Sequence, residues 1–290
     1  MFVEKLINVY LKNLKKTYIS TGYLALINSN LRKNFLTFLD NEKYIKECNK
    51  NRYAKYVIVS KRLKDKLLNS KKIIIYKDPK YLFFKLLNII NSKISVTKKN
   101  KIHKSAKIHK TCILNGNQIY IGKNVVVEAN VIINEKSKIM DNSIIRSGCV
   151  IGGDQLELKN DQNKNLFNVR HRGSTLISSN VEVGYGTIID RALYDYDSTK
   201  IGRFTKIGYN NLISHNTKIG KNNMIMSNVV IGGTCKIGNH NWIGASSTLS
   251  NQLYIGNHNH ITMGSVLFEN MKNHQSVVKD RIIKKKIFKI

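Results

Sequence analysis

The sequence predicts a mainly β protein in which a parallel β-helix of hexapeptide repeats follows a small α/β domain. Two observations lead to this fold class. An aliphatic residue returns at every sixth position over a long part of the chain, and residues 1–100 lack that period. Because an α-helix repeats every 3.6 residues and a strand every two, a period of six indicates an internal repeat.

The six-residue period covers residues 121–151, 177–189 and 201–267, and the residue after the aliphatic one is often Gly. Each hexapeptide is predicted to form a short strand and a turn, with the aliphatic side chain inward and Gly or Asn at the corner. Three hexapeptides then make one triangular coil of eighteen residues. Successive coils are expected to stack through parallel ladders about 4.8 Å apart.

Two segments interrupt the period, residues 152–176 and residues 190–200. Both are rich in charged residues, and the second also contains two tyrosines. Loops that leave a rigid scaffold often contain the functional residues of a protein. We therefore expect these two interruptions to contribute to function.

The first hundred residues combine helix and strand patterns. The opening "MFVEKLINVYLKNLKK" predicts a helix, and "RYAKYVIVSKRL" predicts a strand. In "KKIIIYKDPKYLFFKLLNIINS", a strand, a turn at the only proline and an amphipathic helix are predicted. The predicted organisation is an α/β domain over 1–100, the β-helix over 101–267 and a short basic tail over 268–290.

The composition narrows the classes of partner. The net charge is +31, but the lysines are spread through all segments of the sequence. Specific nucleic-acid readers rely on Arg and gather their basic residues on one face, so no nucleic-acid partner is predicted. Acidic molecules such as nucleotides, phosphates or an acidic carrier protein fit the charge better.

Metal, redox and membrane signals are weak in this sequence. The four cysteines form no CxxC pair, and His240, His258 and His260 have no spacing that suggests a zinc site, so no metal is predicted. No run of about eighteen apolar residues is present, and the N-terminus lacks the pattern of a signal peptide. A cytoplasmic location is expected.

Five stretches resemble a known family: "LTFLDNEKY", "YVIVS", "IIIYKDPKYLFFKLLNII", "VEVGYGTIIDRALYD" and "LISHNTKIG". They are similar in content and order to the UDP-3-O-(3-hydroxyacyl)glucosamine N-acyltransferases of lipid A (lipopolysaccharide) biosynthesis, which are hexapeptide-repeat acyltransferases. The resemblance implies a left-handed β-helix, a uridine-nucleotide-binding N-terminal domain and a homotrimer. It also implies N-acylation of a UDP-linked amino sugar.

The resemblance implies roles for particular residues. Phe38 and Tyr44 would sandwich the uracil, with Asn41 close to the base, as aromatic faces suit base stacking. His215 would be the general base that removes a proton as the sugar amine attacks the thioester carbonyl. The transfer would be direct, without a covalent enzyme intermediate.

Further residues are expected along the substrate groove. Asp190 and Arg191 match the family's "IDR" and would shape the sugar or phosphate end. Backbone N–H groups of Gly232 and Gly233 are candidates for stabilising the tetrahedral oxyanion. Gln252 occupies the position of a second family histidine, which is associated with the hydroxyacyl chain or pantetheine.

No permanently bound cofactor is expected. The acyl donor would be the phosphopantetheine thioester of acyl carrier protein or acyl-coenzyme A, bound between neighbouring subunits. The sequence departs from the family at Gly208, where an Asp is usual, and at Gln252. The family's helical C-terminal extension is replaced by a short basic tail, which suits an acidic carrier protein or peripheral contact with an anionic membrane.

Two other functions remain open at this stage. One is a coenzyme A-dependent N-acetyl- or acyltransferase that modifies a nucleotide-linked amino sugar for surface polysaccharide. The other is a non-catalytic scaffold whose β-helix displays loops. The activity of a His215→Ala variant would separate the scaffold from both enzymes.

Overall fold

The computed structural model describes residues 2–13, 20–93, 97–278 and 281–284. Within these ranges the chain divides into two compact units. Unit 1 contains residues 1–95 together with 156–170, and unit 2 contains 96–155 and 171–290. The first interruption of the repeat therefore belongs largely to unit 1, whereas the sequence-based division assigned it to the β-helix domain.

Unit 1 is a small α/β structure. Its elements are α1 (Phe2–Asn13), β1 (Phe35–Leu39), a 3₁₀ turn (Glu42–Tyr44), α2 (Ile45–Lys50), β2 (Ala54–Val59), a 3₁₀ segment (Lys61–Lys66), β3 (Lys72–Ile75) and α3 (Pro79–Lys93). The three strands form a parallel sheet in the order β1-β2-β3. The predicted strand and helix around the only proline are confirmed. Pro79 opens α3, and the Asp78 carboxylate caps that helix by accepting a hydrogen bond from the Tyr81 N–H.

The inserted segment packs against α3. It forms an antiparallel hairpin of Leu158–Asn160 and Leu166–Asn168. The Asn91 side chain donates a hydrogen bond to the Arg170 carbonyl at 2.6 Å, and the Phe167 ring meets Tyr81 edge to face at 6.1 Å. Because of these contacts with α3, the segment is part of unit 1, although the residues before and after it in sequence belong to the β-helix.

Unit 2 is a parallel β-helix of three sheets, in which consecutive hexapeptides alternate between sheets I, II and III. Sheet I contains Lys101–Ile102, Tyr120–Ile121, Ser137–Ile139, Ser174–Ile177, Ser198–Ile201, Lys218–Ile219, Lys236–Ile237 and Tyr254–Ile255. Sheet II contains Lys107–Ile108, Val126–Val127, Ile144–Ile145, Glu182–Val183, Lys206–Ile207, Met224–Ile225, Trp242–Ile243, His260–Ile261, Gln275–Val278 and Arg281–Lys284. Sheet III contains Ile113–Asn115, Ile132–Asn134, Val150–Gly153, Ile188–Asp190, Leu212–Ile213, Val230–Ile231, Thr248–Leu249 and Val266–Leu267.

The predicted repeat is confirmed residue by residue in the ladders. Ile201 pairs with Ile219 and then Ile237 in sheet I, as expected for aliphatic residues eighteen positions apart. These inward side chains form one continuous buried core along the axis. Corner residues adopt positive φ and are often Asn, which tolerates the left-handed region.

The described end of the tail extends the β-helix. Gln275–Val278 adds a parallel strand to sheet II, and Arg281–Lys284 pairs with it antiparallel. Residues 279–280 and 285–290 of the predicted basic tail lie outside the described residues. In the described ranges, none of the helices has both the length and the apolar character needed to cross a bilayer.

Ile225 and Met224 offer a direct test of the inward and outward positions. Ile225 is 1% exposed in the core, whereas the neighbouring Met224 is 50% exposed. We expect Ile225→Ala to lower the free energy of unfolding by about 2–5 kcal/mol because it leaves a cavity. Met224→Ala is expected to change it by less than about 0.5 kcal/mol. Denaturant unfolding of both variants measures the difference, and similar losses for the two would contradict this orientation.

Candidate functional site

The candidate site lies at the corner that follows sheet III and precedes sheet I. Both interruptions leave the β-helix at this corner, after Ile151 and after Ile189, which pair in adjacent coils of sheet III. His215 occupies the same corner of the next coil, two residues after Ile213. The predicted loops and the predicted histidine are thus gathered on consecutive coils along one edge.

The imidazole of His215 is held by the next residue. Its Nδ1 lies 3.2 Å from Oδ1 of Asn216. That oxygen also accepts a hydrogen bond from the Leu193 N–H at 2.8 Å, and the Asn216 amide nitrogen donates to the Asp197 carboxylate at 2.5 Å. Because Oδ1 can only accept, Nδ1 must carry the proton in the neutral imidazole, which places the lone pair on Nε2.

Asp197 anchors this arrangement. Besides Asn216, its carboxylate accepts hydrogen bonds from the Ser198 N–H at 2.7 Å and from the Lys218 ammonium at 2.5 Å. Burial lowers the pKa of Lys218, although the hydrogen bond to Asp197 opposes that shift. The second interruption therefore supplies a charged group that fixes the amide behind His215.

His171 packs against His215 from the end of the first interruption. The two rings meet edge to face with centroids 5.2 Å apart. The His171 side chain is fully buried, and its Nδ1 lies 3.3 Å from the Arg191 carbonyl oxygen, while the His171 backbone N–H donates to the Asp154 carboxylate at 3.0 Å. These contacts limit the positions that the His215 ring can adopt.

Gly233 lies one coil beyond His215. A Cβ added at Gly233 would lie 2.6 Å from Nε2 of His215, so this glycine provides the space that the ring occupies. The N–H groups proposed for the oxyanion already have acceptors. Gly232 donates to the Leu249 carbonyl at 2.9 Å, and Gly233 donates to Oδ1 of Asn251 at 2.8 Å. An oxyanion would have to compete with these acceptors.

Asp190 and Arg191 are adjacent in sequence but differ in their surroundings. The Arg191 guanidinium bonds to the Gly152 carbonyl and to Glu135, at 3.0 and 3.1 Å. Asp190 is buried, and burial, with a smaller contribution from Asp154, raises its pKa to about 6. A carboxyl group with such a pKa holds a proton more readily near neutral pH than an exposed one.

The remaining predicted residues lie elsewhere. Gln252 is an exposed corner residue whose N–H donates to the Gly233 carbonyl, one coil beyond the glycines. In unit 1, the half-buried Phe38 ring packs 5.0 Å from the Phe83 ring, and the exposed Tyr44 ring lies 4.8 Å from the Lys43 ammonium. Asn41 caps the 3₁₀ turn by accepting from the Lys43 N–H. The nucleotide-binding roles of these three residues stay predictions.

Sequence reasoning missed several residues that contact His215 or hold its neighbours in place: Asp154, His171, Asp197, Asn216 and Asn251. Asn216 had a usable signal, since it follows the histidine directly, but Asp197 and His171 come from the interruptions, whose course a six-residue period does not specify. In the described part of the chain, no three His, Cys, Asp or Glu side chains are grouped so as to hold a metal ion.

Comparison with known proteins supports the repeat and the fold. Residues 118–153 and 198–233 match the bacterial transferase hexapeptide family of six repeats. The fold is similar to that of the UDP-N-acetylglucosamine acyltransferase of Francisella novicida, with a TM-score of 0.53, 18% identity and coverage of 64% of this chain and 68% of that one. The UDP-N-acetylglucosamine acyltransferase of Bacteroides fragilis is similar with a TM-score of 0.50 and 19% identity, and the match covers 65% of this chain and 72% of that one. These likenesses identify the left-handed parallel β-helix.

Curated relatives match a shorter segment. A UDP-3-O-acylglucosamine N-acyltransferase of Coxiella burnetii is 37% identical over 81 residues, which are 28% of this chain and 23% of the relative. One from Campylobacter jejuni subsp. doylei is 35% identical over 72 residues, which are 23% of each chain. The chain thus spans less than a quarter of the length of these curated relatives.

Proposed function

We propose that this chain is an N-acyltransferase that moves an acyl group from a thioester to the amine of a UDP-linked amino sugar. The observation that supports this most is the fixed imidazole of His215, whose Nε2 lone pair is set by Asn216. The names of the curated relatives and of the β-helix neighbours supply the substrate class. The proposed reaction is one step of a biosynthetic pathway of the lipid A type.

His215 acts as a general base in the proposed reaction. The amine nitrogen attacks the thioester carbonyl carbon, and Nε2 takes one proton from that nitrogen. The tetrahedral intermediate collapses, the carbon–sulfur bond breaks and the thiolate takes up the proton. The protonated imidazole is stabilised by Asn216 Oδ1 and, behind it, the Asp197 carboxylate. No bond between the acyl group and the protein forms.

The acceptor is proposed to bind its uridine in unit 1, where Phe38, Asn41 and Tyr44 match the family motif. The Phe38 ring is part of a cluster with Phe83 and Phe84, so one role of this ring is packing. The exposed Tyr44 ring is better suited to receive a base.

An acidic donor is supported by the outward face of sheet I. Five of the eight strands of this sheet place Lys just before the inward aliphatic residue, against two in sheet II and none in sheet III, in the described strands. Near its N-terminal end a cavity of about 360 Å³ is lined by Lys98, Lys99, Lys101, Lys138, Tyr120 and neighbouring residues. Like charges in register repel one another, so a surface of this kind favours an anionic partner. We propose that acyl carrier protein, or coenzyme A, is the donor.

A homotrimer is supported by the outward face of sheet III. Its outward residues are Ile113, Ile132, Val150, Ile188, Leu212, Val230, Thr248 and Val266, an almost unbroken apolar row. Contiguous exposed apolar surface of this kind is typical of interfaces. The row passes beside the His215 corner, since Leu212 lies in the coil that contains His215, so a second copy on this face would form one wall of the substrate groove.

Val230→Lys tests this interface. Val230 is 38% exposed, so the charge should leave each chain folded but disrupt packing between chains. We expect light scattering to give three times the chain mass for the wild type and the mass of one chain for the variant. Tyr254→Lys, which adds the same residue to sheet I, should remain trimeric. A trimeric Val230→Lys protein would assign the interface to another face.

A mass-spectrometric transfer assay tests the proposed activity and separates it from the alternative. Purified protein is given UDP-3-O-acyl-glucosamine or other UDP-amino sugars, each with 3-hydroxyacyl carrier protein or acetyl-coenzyme A. Amide formation from the hydroxyacyl carrier is the expected result. Product from acetyl-coenzyme A alone would indicate a polysaccharide amino-sugar acetyltransferase, and the absence of product from every pair would contradict the proposed function.

A further inference from the structure

Asp190 is a buried acid without a partner in a strongly basic protein. Asp190 is only 4% exposed to solvent. Across the residues that the structure describes, no group donates a hydrogen bond to its carboxylate or forms an ion pair with it. Lysine and arginine exceed acidic residues by 31 in this chain, so the lack of a cation beside this carboxylate is unexpected. Buried charges are normally paired, which suggests that the partner comes from a ligand.

The fold places Asp190 beside the His215 corner. Ile189 pairs with Ile213 in sheet III, so Asp190 lies one coil from Ser214, the residue before the histidine. His171 connects the two positions, because its ring contacts His215 and its backbone N–H donates a hydrogen bond to Asp154, the charged neighbour of Asp190.

Gly153 leaves the space that the Asp190 carboxylate occupies. It pairs with Asp190 across the strands, and a Cβ at this position would lie 2.6 Å from Oδ1 of Asp190. Asp154 follows directly and is exposed. A second carboxylate, that of Asp154, therefore lies close enough to Asp190 to raise its pKa, while the nearby Arg191 is engaged by Glu135 and Gly152.

We propose that Asp190, with Asp154 beside it, receives the ammonium group of the acceptor sugar and selects an amine over a hydroxyl group. This inference rests on the proposed function. The ammonium donates a hydrogen bond to Asp190 and transfers one proton to it, which gives a carboxylic acid and a neutral amine. The amine nitrogen then has the lone pair that attacks the thioester, and its next proton goes to Nε2 of His215. The carboxylic acid returns its proton to water when the amide leaves.

The pKa of Asp190, raised to about 6 by burial, agrees with this role because the carboxyl group can hold a proton transiently near neutral pH. It also predicts a stability effect. A raised folded-state pKa means that the folded protein binds more protons than the unfolded one, so stability falls as pH rises toward about 6. Above that pH, Asp190→Asn should therefore be as stable as the wild type or more stable. The other titratable groups near Asp190 are Asp154 and His171.

Isothermal titration calorimetry with two acceptors tests the proposal. The ligands are UDP-3-O-acyl-glucosamine and its 2-hydroxyl counterpart, UDP-3-O-acyl-glucose, and no donor is present. The wild type should bind the amine about tenfold more tightly or better, as hydrogen bonds to charged groups contribute strongly. Asp190→Asn should lose this preference and keep its affinity for the hydroxyl ligand. Asp195→Asn, which removes an exposed charge from the same loop, should keep the preference.

The outcomes distinguish this inference from the proposed function. If the wild type binds both ligands equally, or if Asp190→Asn keeps the amine preference, the amine-selecting role is wrong while the uridine-dependent function stands. If the wild type binds neither ligand, the proposed UDP-linked sugar acceptor is wrong, and the amine-selecting role of Asp190 is wrong as well. Thermal unfolding of Asp190→Asn above pH 6 verifies that a lost preference does not come from a misfolded protein.

Discussion

Replacement of His215 by alanine is expected to lower kcat for amide formation by about 10²–10⁴-fold, the usual contribution of a positioned general base. The imidazole is half-buried at a corner, and Asn216 keeps its hydrogen bonds with Leu193 and Asp197 when the imidazole is removed. The variant should therefore fold normally. Steady-state kinetics with saturating acceptor and donor, together with the unfolding midpoint, measure both effects.

His240→Ala is the matched control for this prediction. His240 is also a corner residue, but it is exposed and lies after sheet I rather than beside Asn216. Its removal should leave kcat within about twofold of the wild type, in line with a surface substitution. Equal, measurable activity of the wild type and His215→Ala would rule out His215 as the base and indicate a reaction at another site, whereas no activity in either protein would favour a scaffold.

Substitution of Gly233 by alanine is the second prediction with a large expected effect. The new methyl carbon would lie 2.6 Å from Nε2 and 2.9 Å from Cε1 of His215, and both distances are steric clashes. The imidazole is the flexible partner, so we expect it to move away from its position beside Asn216. Because small displacements of a catalytic group are costly, kcat should fall about 10²-fold.

Gly232→Ala and a double variant make this prediction specific. A Cβ at Gly232 would lie 2.7 Å from the Asn251 backbone nitrogen, so that substitution should reduce stability through the backbone. Gly233→Ala should instead reduce activity with little change in stability. If the glycine acts through the histidine, Gly233→Ala added to His215→Ala should cause no further loss. An additional hundredfold loss in the double variant would mean that Gly233 has a separate role.

The sequence was sufficient to predict the register of the β-helix because every coil repeats the same physical requirement. An inward aliphatic residue must meet its counterpart eighteen positions later, as Ile207 meets Ile225. The N-terminal strand and helix around Pro79 were predictable for a similar reason, since proline and an apolar run specify them locally. Neither depends on contacts between distant loops.

The surroundings of His215 were only partly predictable. The histidine itself was identified through family resemblance, and the absence of an Asp at position 208 left its orienting group unknown. In the structure that group is Asn216, which is fixed by Leu193 and Asp197. Their positions follow from the path of an irregular loop, and no periodicity constrains such a path.

The location of both interruptions at one corner has a consequence for how this protein can change through evolution. The ladders that determine stability lie within the three sheets, and each coil contacts only its neighbours. A longer or shorter loop at the corner after sheet III therefore leaves the register of the scaffold intact. Mutations there can alter acceptor or donor choice while the coils remain unchanged, so new specificities can arise on an inherited framework.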